Sequence, residues 1–230
     1  MKRELPIYTI EGTDFLVDVD KAQLREKANP DNVISFFEMR DVGNSYVFDY
    51  SIMHKNIPPL YGKNSEIIAV RIPEMVELDP LGMAEKYGYT QDDIKGKTDF
   101  DLMVDQSALD QRQKGRLTTV DIAGHLFYVD IPMNMLRPKD DFLSKGIPFG
   151  EIDNYYDEEK SRYIIPYNPE TREFQEPDYN TITAIPKELI VIEFPHELVL
   201  DPVGINRKWG CAETDGLKET NIKSHFQAKM

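Results

Sequence analysis

The chain has 230 residues, 27 Lys and Arg against 41 Asp and Glu, a net charge of −14, and 40% hydrophobic residues. That length and apolar content suit a folded chain of one large or two small domains. The charge opposes direct contact with phosphate backbones or anionic membranes, and a single cysteine, Cys211, excludes an intramolecular disulfide and any multi-cysteine metal site.

Along the chain, "LPIYTIEGTDFLVDVDKAQLR" (5–25) comes first, with apolar and polar residues alternating around Glu11-Gly12. This predicts a β-hairpin with Gly12 at positive φ. Asp18 or Asp20 is placed to cap a short helix from Lys21 to about Lys27. Next, "VISFFEMRDVGNSYVFDYSI" reads as a second hairpin about Gly43-Asn44, and "EIIAVRIP" as a strand stopped by proline. In "ELDPLGMAEKYG", Asp79 is an N-cap, Pro80 the first helical residue, Lys86 complements the C-terminal dipole and Gly88 closes the helix. Capping alone makes Asp79→Ala cost about 1 kcal/mol. Gly82 is not explained by capping; close packing against a neighbouring sheet would require it.

The same order returns. "LTTVDIAGHLFYVDIPMNMLR" (117–137) matches 5–25 at 8 of 21 positions with an offset of 112. "IEFPHELVLDPVGINRKWG" (192–210) matches 70–88 at 7 of 19 with an offset of 122. Phe37 and Phe149, and Asp41 and Asp153, keep the first offset, and Tyr50 and Tyr167 stand 117 apart. Asp130 and Pro132 are placed to start a helix equivalent to that at Lys21, and Asp201, Pro202, Gly204 and Gly210 repeat the capped helix.

We therefore expect an α+β protein with an internal duplication: two similar units of antiparallel hairpins plus short helices, packed as a pseudo-twofold pair. The units span 4–88 and 116–210, joined by a helical connector at 89–115 and followed by a C-terminal extension at 211–230 that faintly echoes the connector (Asp93/Asp215, Thr98/Thr220).

Chemistry-bearing motifs are sparse. Asp18/Asp20 and Asp92/Asp93 read as solvated surface, and His125 and His196 as exposed positions at a turn and after a strand. Cys211 merely follows a helix-ending glycine. There is no HExxH, GxGxxG, P-loop or GxSxG pattern, so no catalytic residue, metal or cofactor is assigned. The most distinctive departure between the matching blocks is the insertion at 151–167. There Tyr155, Tyr156, Asp157, Glu158 and Glu159 join amphipathic aromatics to acids, as recognition loops do. The expected function is a non-catalytic acidic module that binds a basic protein surface, in its sharpest form an inhibitor or nucleic-acid mimic, in the cytoplasm. The competing class is an enzyme whose site lies in the groove between the units, using His125 and nearby acids.

Overall fold

The computed structural model describes residues 3–60, 66–178 and 186–230. The protein is α+β, and its contacts divide it into two compact units, Met1–Met103 and Val104–Met230. The division falls inside the expected connector.

In the first unit, β1 (Ile7–Ile10), β2 (Thr13–Asp18), β3 (Gln23–Glu26) and β4 (Val33–Ser35) form an antiparallel sheet in that order. Glu11 and Gly12 both take positive φ, which lets a two-residue turn follow the twist of its strands. A 3-10 turn at Phe36–Glu38 leads to β5 (Arg40–Asp41), β6 (Ser45–Ser51) and β7 (Ile67–Pro73), a second antiparallel sheet. One-turn helix α1 (Met75–Leu78), α2 (Pro80–Tyr87) and α3 (Asp99–Met103) complete the unit. Its core joins both sheets and the helices through Phe15, Leu24, Phe36, Tyr46, Ile72 and Met83.

The expected helix at Lys21 is instead strand β3. Residues 23–26 alternate in burial, with Leu24 and Glu26 inside, and Asp18 accepts the Lys21 N–H at 3.2 Å to close a four-residue turn rather than a helix. Packing of the period-two pattern against β2 outweighs the capping signal.

The second unit begins with α4 (Gln106–Gln113), followed by β8 (Thr119–Ile122), β9 (His125–Asp130), β10 (Met135–Pro138) and β11 (Ile147–Pro148). Here too strand β10 replaces the expected helix: Asp130 accepts the Met133 N–H at 3.2 Å, so Pro132 lies in a turn. Then come α5 (Phe149–Ile152), a 3-10 turn at Asp153–Tyr155, β12 (Tyr156–Asp157), β13 (Arg162–Asn168), β14 (Glu173–Phe174) and β15 (Ile190–Pro195). α6 (Glu197–Leu200), α7 (Pro202–Trp209), α8 (Leu217–Thr220) and β16 (His225–Gln227) end the chain. One sheet runs β11-β10-β9-β8-β16, and in the other β13 pairs with β12, β14 and β15. Phe127, Phe149, Tyr163, Ile192 and Phe194 anchor its core.

The capped helices form as their sequences dictate. Asp79 accepts the Gly82 N–H at 3.0 Å and Asp201 the Gly204 N–H at 2.9 Å, with cap angles (φ, ψ) of −145°, 71° and −146°, 72°. Gly88 and Gly210 close them in the left-handed region. A Cβ on Gly82 would overlap the Asp79 carboxylate, the Arg3 guanidinium and Val19; one on Gly204 would overlap the Asp201 carboxylate and Ile131. These glycines admit the cap and the turn that closes β2 or β9 in one place.

Candidate functional site

The acidic segment singled out by the sequence is the tip of the β12–β13 hairpin. Tyr156 stands opposite Tyr163 and Asp157 opposite Arg162, and the Asp157 carboxylate accepts the Lys160 N–H at 2.9 Å to brace the turn. Glu158 and Glu159, at its apex, are exposed. Tyr155 and Tyr156 are half-buried. Tyr155 packs edge-on against Phe174 with centroids 5.3 Å apart and donates its hydroxyl to Glu176 at 3.0 Å. Tyr156 packs edge-on against Tyr163 and His196 at 5.4 and 5.2 Å. The tyrosines are a pedestal, and the glutamates are what it presents.

Beneath the pedestal, His196 stacks on Tyr163 at 5.5 Å, and the Tyr163 hydroxyl donates to Glu197 at 2.8 Å. Burial, reinforced by the Glu197 charge, pushes the Tyr163 phenol well above its ordinary range. His196 Nδ1 accepts the Leu198 N–H at 3.2 Å and lies 3.4 Å from Glu197. Accepting that N–H assigns the imidazole proton to Nε2, so His196 caps α6 rather than drawing a proton toward Glu197.

The other candidates are dispersed. His125 and His196 are half-buried rather than exposed, because each ring has a tyrosine to lean on; His125 Nδ1 lies 3.1 Å from the Tyr167 hydroxyl. Asp18 and Asp130 hold their turns and face Arg25 and Arg137 at 3.9 and 3.1 Å. Asp92 pairs with Lys95, and Asp93 accepts from Thr90, whose hydroxyl and amide hold its carboxyl below the usual range. Cys211 is exposed. Ser51 Oγ and His54 Nδ1 lie 2.9 Å apart, a pair that sequence reasoning missed, yet Ser51 is 1% exposed and staples the turn after β6. A nucleophile so covered cannot meet a substrate.

Three further features escaped the sequence. Arg3 clamps Asp79 with bonds of 2.7 and 2.6 Å, and Arg112 clamps Asp201 with Nε and Nη2 bonds of 2.9 Å. Buried Asp99 accepts from the Met75 and Val76 N–H groups at 2.9 and 2.8 Å and from the Tyr46 hydroxyl at 2.6 Å, capping α1 from a distance. Glu26 accepts from Lys55 at 2.8 Å and Asn32 at 2.9 Å; the Lys55 bond chiefly lowers its carboxyl pKa and raises that of the lysine. Only the aspartates, Asp79 and Asp201, lie in the matching segments; the arginines that clamp them lie outside.

Among the described residues no group of three His, Cys, Asp or Glu is placed to hold a metal, and no helix is long and apolar enough to cross a membrane. The arrangement can present charge on a braced hairpin. No family model, curated protein or solved structure matches this chain.

Proposed function

We propose that the chain is an internal duplication serving as a non-catalytic interaction module, which binds a basic protein surface through the acidic tip of the second unit. Four observations support the duplication. Positive φ recurs at Glu11 and Ala123, Ala22 and Asn134, and Lys55 and Arg172. Val17 faces Leu24 as Val129 faces Leu136. Phe36 donates its N–H to Ala22 as Phe149 does to Asn134, both at 2.9 Å, so Phe36 is the counterpart of Phe149, one residue before Phe37. The caps of α2 and α7 agree in both angles.

The observation that carries the binding reading is the tip itself. Tyr155, Tyr156 and Asp157 spend their contacts on bracing the hairpin, leaving Glu158 and Glu159 exposed on a pre-organised support in a chain of net charge −14. Pre-organisation lowers the entropic cost of association, and like-signed exposed charge steers a basic partner. The inhibitor and nucleic-acid-mimic forms are the sharpest versions of this reading.

The test is capture from host lysate by the immobilised chain and two charge-matched double variants. Glu158→Lys with Glu159→Lys should lose the specific partner; Glu188→Lys with Glu219→Lys, also exposed and in the second unit, should retain it. Stopped-flow association with that partner should slow as salt rises over a Debye length of about 8–10 Å. Equal capture by both variants, or a salt-independent on-rate, would reject the tip.

A further inference from the structure

The two units differ at the edge of the first sheet. In the second, β16 lies parallel to β8, with His225, Phe226 and Gln227 opposite Thr119, Val120 and Asp121. The Thr119 N–H donates to Ser224 at 3.1 Å, and the Ala228 N–H donates to Asp121 at 2.9 Å. The chain then crosses to the other sheet, where Lys229 and Glu193 exchange backbone bonds of 2.8 and 2.9 Å. Ala228 enters the core and Phe226 packs against it.

In the first unit β1 is the edge of its sheet, and no strand among the described residues lies outside it. The two-residue turn makes Ile10 and Thr13 a hydrogen-bonded pair; alternation then turns the N–H and C=O groups of Ile7 and Thr9 outward. Arg71 on β7 faces Val47 as Glu193 faces Ile164. Between β1 and β7 opens a cleft of about 410 Å³, lined by Tyr8, Asn44, Arg71, Ile72, Pro73 and Glu77. By the correspondence of the units, Ile7, Thr9 and Arg71 stand where Thr119, Asp121 and Glu193 hold the tail. We propose that this edge and cleft accept an extended segment of a different protein, added parallel to β1 and crossing to β7.

The occupant's chemistry follows from the changed positions. Ile7, 49% exposed, replaces Thr119, whose hydroxyl lies 3.0 Å from His225 Nδ1, so the facing residue is apolar. A small residue enters the cleft where Ala228 enters the second core. Arg71, exposed on β7 and donating Nη1 to Ser45 Oγ at 3.1 Å, replaces Glu193, whose carboxylate pairs with Arg162 at 3.1 Å; a guanidinium on that face favours an acidic residue at the crossing, where the tail has Lys229. The tail of a second copy would set Lys229 against Arg71, two like charges. The site rests on the equivalence of the units and is separate from the acidic tip.

Fluorescence anisotropy with the full chain tests it, using a labelled, C-terminally amidated peptide, Asn-Ile-Lys-Ser-Leu-Phe-Gln-Ala-Glu. This is the tail segment with leucine in place of His225 and glutamate in place of Lys229. Saturable binding is expected below roughly millimolar concentration, weakened roughly tenfold by Thr9→Pro, which removes an outward N–H. Arg71→Glu should reverse the preference between this peptide and one ending in lysine. The Glu158→Lys, Glu159→Lys variant should bind the peptide unchanged, so failure of the tip and failure of the edge are read separately. Absence of binding, or binding that survives Thr9→Pro with native circular dichroism, overturns the proposal. So does a lysine peptide that binds the unaltered chain as well as the glutamate one, which would make a second copy the occupant. Should Thr9→Pro not fold, the Arg71→Glu exchange decides alone.

Discussion

Asp79 and Asp201 cap their helices with the same geometry and are equally hidden, each carboxylate only accepting, yet they receive their arginines differently. Arg3 comes from the segment before β1 and keeps 24% of its side chain exposed, whereas Arg112 comes from α4 and keeps 6%. The lesson is that one carboxylate has two tasks: it starts a helix with one lone pair and fastens the segment entering the first strand with the others. How much depends on the second task is set by how completely the arginine is desolvated.

The largest expected effect follows directly. Arg112→Ala leaves Asp201 charged, buried and short of a partner, which should cost roughly 3–5 kcal/mol. Arg3→Ala opens Asp79 to water from a side already partly wet and should cost about 1–2 kcal/mol. Denaturant unfolding of each variant measures both. Trp209, the only tryptophan, reports from the second unit, and hydrogen exchange on β1 and β2 reports from the first. Equal losses would break the comparison. The same clamps raise the expectation for Asp79→Ala and Asp201→Ala above the cap value of about 1 kcal/mol, because each now strands an arginine as well.

A smaller effect sharpens it. Gly→Ala inside a helix ordinarily stabilises by about 1 kcal/mol, but at Gly82 and Gly204 the added Cβ meets the cap carboxylate and the turn residues Val19 and Ile131. Both substitutions should therefore destabilise, by roughly 1–3 kcal/mol. A raised midpoint in either would show that the turn can yield.

What the sequence disclosed divides along the same line. The Asp-Pro-x-Gly helices, the Gly12 and Gly124 turns and the proline-stopped strands were legible because each depends on neighbours within a few residues. β3 and β10 were not: their aspartates carry a capping signal in "DVDKAQLR" and "DIPMNMLR" that only pairing with β2 and β9 overrides. The arginine clamps and the Asp99 cap span 76, 89 and 24 residues, distances at which no local pattern speaks. The candidate tip was visible as composition, but its tyrosines read as contacts rather than supports, because their partners Phe174, Glu176 and His196 lie elsewhere in the chain.

Titration adds a pH window common to both units. Burial, chiefly, raises the phenol pKa of Tyr46, Tyr163 and Tyr167, the last to about 12. A raised folded value favours the neutral phenol in the fold. Its contribution is therefore complete below the unfolded value of about 10 and is lost as pH climbs through the folded one. Urea midpoints should hold steady up to about pH 10 and fall toward pH 12. A midpoint that stays flat across that range would show that these hydroxyls titrate alike folded and unfolded.

The smallest expected effect isolates one hydrogen bond. Tyr167 finds His125 at 3.1 Å, while Tyr50, 117 residues earlier, buries a hydroxyl that has no hydrogen-bond partner among the described residues. Thr13, aligned with His125 in the matching segments, is close enough to the Tyr50 hydroxyl to oppose, as a hydrogen-bonding neighbour would, the rise in phenol pKa that burial causes, but the two hydroxyls do not meet in hydrogen-bond geometry. A buried hydroxyl left alone forfeits its hydration without return, so supplying the missing imidazole by Thr13→His should stabilise the first unit by about 1 kcal/mol. The reciprocal His125→Thr should orphan Tyr167 and cost the second unit about 1–3 kcal/mol. Thr13→Val separates the two accounts of Tyr50: it should leave the midpoint within about 0.5 kcal/mol if Thr13 contributes no bond. A clear loss in that variant would mean that Thr13 already serves as the partner, and the gain expected from histidine would vanish with it.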